Sequence, residues 1–114
     1  MENNTNVGDT HAQCSGKHEV MRRAFGILAG KWKLEILWHL HQRTHRFGEL
    51  RRSIPGITQH MLTAQLRDLE REGLVSRVVY AEVPPRVEYS ITDKALALAP
   101  VMDALMVWAE HYQT

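Results

Sequence analysis

Gln59, His60, Thr63 and Arg67 recur at intervals of one, three and four residues, a spacing that lines them along one edge of a helix. Their chemistry is that of base-edge recognition. A glutamine amide has the geometry to pair with adenine, and a guanidinium fork suits base edges and phosphate oxygens better than a lysine point charge does. Arg46, Arg51, Arg52, Arg77 and Arg86 flank this group in sequence, and Thr58 immediately precedes it. Between Arg43 and Arg86 there are eight arginines against five acids, with no lysine. The whole chain carries a net charge of only +1, so the signal lies in the distribution rather than the total. The competing reading is a solvated, ion-paired surface, in which such pairs contribute little.

A second locus is Cys14. It is the only cysteine, so no disulfide can form within the chain. A reactive thiol needs its pKa lowered by a helix N-terminus or by nearby cations, and Lys17, His18, Arg22 and Arg23 follow closely. The plain alternative is an inert, exposed thiol. His11, Cys14 and His18 also form an H-x-x-C-x-x-x-H cluster, but three ligands lack the fourth that zinc or copper would want. No metal and no cofactor is expected. Serine, histidine and acids are all present, yet no nucleophile elbow, Gly-rich phosphate loop or His-Glu metal helix occurs, so the chain reads as a non-enzyme.

At 114 residues and 44% hydrophobic, the chain suits one domain. No run approaches the roughly 18 apolar residues of a membrane span, and the polar start MENNTNVGDTHAQ is unlike a signal peptide, which predicts a cytoplasmic protein. Residues 1–16 are nearly devoid of apolar side chains and read as a mobile tail, leaving residues 17–114 as the domain. From His18 the apolar residues fall at helical intervals as far as Leu28, and Gly30 is a stop. KWKLEILWHLHQ reads as a short buried helix in which Trp32 and Trp38 serve the core. RFGELRRSI carries Phe47, Leu50 and Ile54 at helical spacing and stops at Pro55-Gly56. Thr58 then caps a helix whose Leu62, Leu66 and Leu69 form an i, i+4, i+7 stripe ending at Gly73.

Two helices joined by a tight turn, the second bearing the base-reading edge, form a helix-turn-helix. LVSRVVYAEV and RVEYSIT follow as strands of a hairpin, whose tip VPPR is too proline-rich for a two-residue turn. The tip reads as a stiff wing delivering Arg86 to DNA. Thr92 caps a last helix that Pro100 should kink or divide near Leu98. That helix carries more apolar residues than one small core can use, which points to a second copy of the chain. The fold class is therefore α+β, mainly α: a winged helix-turn-helix with a two-stranded wing and terminal dimerisation helices.

GKWKLEILWHL (30–40), RFGELRRSIPGITQHMLTAQLRDLEREGLVSR (46–77), VPPRVEYSIT (83–92) and LAPVMDALMVWAE (98–110) together closely resemble the HxlR-type winged-helix transcriptional regulators of bacteria. The resemblance runs from about residue 19 to 111. It implies a homodimer bound to palindromic double-stranded DNA, with a small reactive inducer sensed through a cysteine near the start of the first helix. The family's usual cysteine position falls near Glu19, and Cys14 lies five residues earlier, so a redox switch here would be displaced. The alternative from another class is a winged helix used as a protein-interaction module, its arginines being surface charge alone.

Overall fold

A computed structural model describes residues 7–112, with side chains from residue 16 onward. The elements follow in the order α1 (Val7–Leu28), α2 (Lys33–Gln42), β1 (His45–Arg46), α3 (Phe47–Ser53), α4 (Gln59–Arg71), β2 (Val75–Tyr80), β3 (Arg86–Ile91), α5 (Asp93–Leu96) and α6 (Ala99–Tyr112). The core gathers the apolar stripes of the central elements. Ile36, Leu37 and Leu40 of α2, Leu50 of α3, Ile54 and Ile57 of the turn, Leu62, Leu66 and Leu69 of α4, and Tyr89 of β3 are all buried.

The α3–turn–α4 unit is shaped by local chemistry. The Arg46 backbone N–H donates to Glu49 Oε1 at 2.8 Å, satisfying one unpaired donor at the start of α3. Gly56 turns the chain at φ +88°, a region open to glycine at little cost, and the flanking Ile54 and Ile57 anchor the turn in the core. Thr58 caps α4 as expected, its Oγ1 accepting from the Met61 N–H at 3.1 Å. Gly73, at φ +76°, ends the helix, and the Leu74 N–H then reaches back to the Leu69 carbonyl at 2.9 Å.

Three features differ from the sequence reading. First, the hairpin is part of a three-stranded antiparallel sheet of order β1-β3-β2, with His45 opposite Tyr89 and Arg46 opposite Glu88. A two-residue strand has no period to detect, and its first residue is a histidine, buried here with its Nδ1 2.8 Å from the Arg43 carbonyl. Second, α1 begins at Val7, so residues 7–16 continue the first helix rather than a tail. Once nucleated, a helix propagates one hydrogen bond per residue without needing an apolar face, and hydrophobic periodicity is blind to such an extension. Third, Trp32 packs against the core but Trp38 stays 39% exposed, facing Leu34 and the α6 residues Leu105 and Met106.

The chain divides around residues 97–98, between α5 and α6, as Pro100 required. Pro100 sits in the first turn of α6, where a missing N–H leaves no intrahelical bond unmade. Of α6 only Met102 is buried. Val101, Leu105, Trp108 and Tyr112, spaced four, three and four residues apart, are exposed, as are Val20, Met21 and Phe25 on α1.

Candidate nucleic-acid interface

The leucine stripe of α4 fixes which of its faces meets solvent. At about 100° per residue, His60, Ala64 and Arg67 project from the side opposite Leu62, Leu66 and Leu69, while Gln59, Thr63 and Glu70 share one flank. Burial agrees: Gln59, His60, Ala64 and Arg67 are exposed and Thr63 is half-buried. The other flank is tied to α2, where Lys33 Nζ lies 3.3 Å from Asp68 Oδ2. Asp68 also pairs with Arg71, so Arg71 is not free on that edge. Thr92 Oγ1 donates to the Gly73 carbonyl and Lys94 Nζ to the Glu72 carbonyl, each at 2.6 Å, clamping the far end of α4 to α5. The helix is thus held along its length with its outward edge presented.

Arg46, at the end of β1, and Arg51 and Arg52 of α3 are all exposed. Arg46 opens α3, whereas Arg51 and Arg52 lie in its last turn, where cations complement the carbonyl end of the helix. Glu49 is held below the usual carboxylate range, chiefly by the hydrogen bond from the Arg46 backbone and also by the nearby Arg43 guanidinium at 3.6 Å. Burial pushes the pKa of His39 down, against the pull of Glu35 at 4.0 Å. Arg77, on β2, is exposed and shares a concavity with Thr63 and Arg67. The packing of β2 on α4 brings these three residues to one hollow.

Arg86, expected to carry the charge of the wing, is held by its neighbours. Its Nη1 donates to Glu88 Oε2 and its Nη2 to Glu82 Oε2, both at 2.8 Å, and its Cζ lies 3.9 Å from the centre of the Tyr80 ring. The charge expected at the tip is turned inward because Tyr80 stands opposite Arg86 across the hairpin and two acids flank it. What the tip presents instead is Val83, fully exposed, followed by Pro84 and Pro85, with a cis peptide between Val83 and Pro84. The hairpin register, with residues 81–85 as its loop, sets Tyr80 and Arg86 opposite each other. The side chains of His11 and Cys14 lie outside the described residues, whereas His18 is described, its Nε2 2.9 Å from Arg22 Nη2. Among the described residues no group of three His, Cys, Asp or Glu side chains is placed to hold a metal, and no helix is long and apolar enough to cross a membrane.

A helix-turn-helix with a three-stranded sheet extended into a wing defines a winged helix-turn-helix protein. The chain belongs to the HxlR-like helix-turn-helix family, which matches it over residues 27–114. It is 45% identical over 106 residues to an uncharacterized HTH-type transcriptional regulator of Methanothermobacter thermautotrophicus, covering 93% of this chain and 77% of that one. It is also 49% identical over 87 residues to the uncharacterized HTH-type transcriptional regulator YdeP of Bacillus subtilis, covering 76% and 68% respectively. Among solved structures, the redox regulator HypR in its reduced form matches with a TM-score of 0.76 at 43% identity, covering 80% of this chain and 90% of its own. The reduced form of the transcriptional regulator YodB from Bacillus subtilis matches with a TM-score of 0.73 at 35% identity, covering 82% and 91%.

Proposed function

We propose that this chain is a cytoplasmic transcriptional regulator that binds palindromic double-stranded DNA as a homodimer. The observation that carries the reading is the outward edge of α4, exposed and basic while its opposite stripe is buried. Two copies would set their α4 helices into successive major grooves, about one helical turn apart. Gln59, His60, Thr63 and Arg67 reach base edges, and Arg46, Arg51, Arg52 and Arg77 bind phosphates. Thr58 lends its oxygen to the α4 cap and keeps its hydroxyl proton for a phosphate. Family membership supports DNA over the protein-interaction alternative. The test is titration of labelled duplex carrying the protein's own upstream region at several salt concentrations. Affinity is expected to fall linearly in log–log form, losing about 0.9 in slope for each phosphate neutralised. Binding that ignores salt would favour the protein-interaction module.

The finer reading is that oxidation or alkylation of Cys14 shifts α1 against the partner's last helix and so changes the spacing of the two α4 helices. It is supported by the cations that follow Cys14 in sequence and by the likeness to HypR, a redox regulator. Diamide or an aldehyde is expected to change DNA affinity of the parent and not of Cys14→Ser; equal responses would dispose of the switch.

Arg86 acts as a strut of the wing rather than a phosphate ligand, since two carboxylates already hold its guanidinium. Arg86→Ala is expected to leave the salt slope of DNA binding unchanged while speeding hydrogen exchange at the amides of Tyr80 and Glu82. A slope reduced by about one would place Arg86 on a phosphate after all.

A further inference from the structure

Arg67 of α4 and Arg77 of β2 project into one polar concavity, with Thr63 and Glu70 beside them and Leu66 and Tyr89 as neighbours. Leu66 and Tyr89 are buried and the two arginines exposed, so the hollow has a firm floor and mobile cationic walls. Arg43, Arg71 and Arg86 are each within ion-pair distance of a carboxylate. Among the described residues, Arg67 and Arg77 are in no such pair, although Glu70 lines the same hollow.

We propose that this concavity is a seat for one DNA backbone phosphate, held jointly by Arg67, Arg77 and the Thr63 hydroxyl. The inference rests on the DNA-binding reading above and sharpens it, moving Arg67 and Thr63 from base reading to phosphate binding and tying the recognition helix to the wing through a single anion. Three arguments favour a phosphodiester. Two guanidinium groups that share a hollow repel each other, and an anion between them turns that repulsion into two charge-assisted hydrogen bonds. One acid and two arginines leave the seat singly positive, which suits a monoanion. Arg77 is fixed on a strand opposite Tyr89, beside α4 rather than on it, so any group touching both arginines must lie between helix flank and wing. When α4 fills a major groove, that space is where the bordering sugar–phosphate chain runs.

Both guanidiniums stand on regular elements, so only the side chains have to be ordered when the phosphate arrives. A shared phosphate also makes the two side chains interdependent. Removing either one leaves the other with a weakened partner, so their losses should not add.

The experiment replaces operator phosphates one at a time by uncharged methylphosphonates and measures binding of the full chain, the parent beside Arg67→Ala, Arg77→Ala and the double variant. In the parent, one position per half-site is expected to cost about tenfold or more in affinity through the combined contacts. At that same position both single variants should be less sensitive to the methylphosphonate and the double variant nearly indifferent to it, and the double variant should lose less than the product of the single losses. Sensitivity lost at two different phosphates, or an Arg67→Ala variant that keeps every phosphate sensitivity but changes base preference, overturns the shared seat while leaving DNA binding intact. A parent that binds no duplex overturns both the seat and the reading beneath it.

Discussion

Trp108→Glu should convert the protein from dimer to monomer and weaken binding to a two-half-site operator by about 10²- to 10⁴-fold, while leaving affinity for an isolated half-site nearly unchanged. The magnitude follows from linkage. When two recognition helices belong to one dimer, the second docks at a high effective concentration, and separating the copies removes that advantage without touching a DNA contact. The choice of residue follows from α6. Val101, Leu105, Trp108 and Tyr112 make one stripe along the helix, the spacing by which a helix buries a face, yet in a single chain this face meets no core. Trp108 is 58% exposed, so a charge there does not disturb internal packing. In a paired interface it would place a carboxylate in an apolar seam, where an unpaired charge is costly. α1 offers a second unmatched stripe in Val20, Met21 and Phe25, and two such faces are more than isolated surface residues would account for. Sedimentation at micromolar concentration reads the first half of the prediction, and titration of full-operator against half-site duplex reads the second. A Trp108→Glu protein that stays dimeric and keeps parental operator affinity would remove α6 from the interface.

The same stripes show what the sequence could and could not convey. Leu62, Leu66 and Leu69 were legible because a 3.6-residue period, a capping threonine and a terminating glycine all marked the same helix. Pro100 marked the break before α6 for an equally local reason, its missing N–H. Trp38 was misplaced because periodicity tells which residues share a face and not what that face meets. An apolar stripe awaiting a partner looks like one facing the chain's own core. The extension of α1 to Val7 was invisible for the opposite reason, since a helix without an apolar stripe leaves no periodic trace. The binding edge divides along similar lines. Gln59, His60 and Arg67 follow from their offsets to the leucines, but the convergence of Arg67 with Arg77 depends on how β2 packs against α4, ten residues further along the chain. The inward turn of Arg86 needed the hairpin register, which only the sheet supplies. Side-chain type was readable from the start; which charges were already neutralised was not.

Leu66→Ala is expected to lower stability by about 3 kcal/mol, since deleting a fully buried leucine removes its transfer free energy and leaves a cavity the neighbours fill only partly. Leu66 is 1% exposed and central to the α4 stripe, with Leu62 and Leu69 one turn to either side, both fully buried. For a domain of this size the loss corresponds to a fall in Tm of roughly 12 to 24 °C, a large part of the about 5 to 15 kcal/mol that holds such domains folded. Its neighbour supplies the contrast. Arg67, one residue on, is exposed and in no ion pair among the described residues, so Arg67→Ala should move Tm hardly at all while weakening DNA binding. Adjacent residues on one helix thereby separate folding from binding, because Leu66 fastens α4 to the core and Arg67 stands on the side left for DNA. Thermal unfolding followed by circular dichroism, run beside duplex titration below the lower Tm, reads both. Equal Tm losses for the two variants would mean that the outward edge of α4 is itself packed, and the DNA-reading assignment of Gln59 and His60 would fall with it.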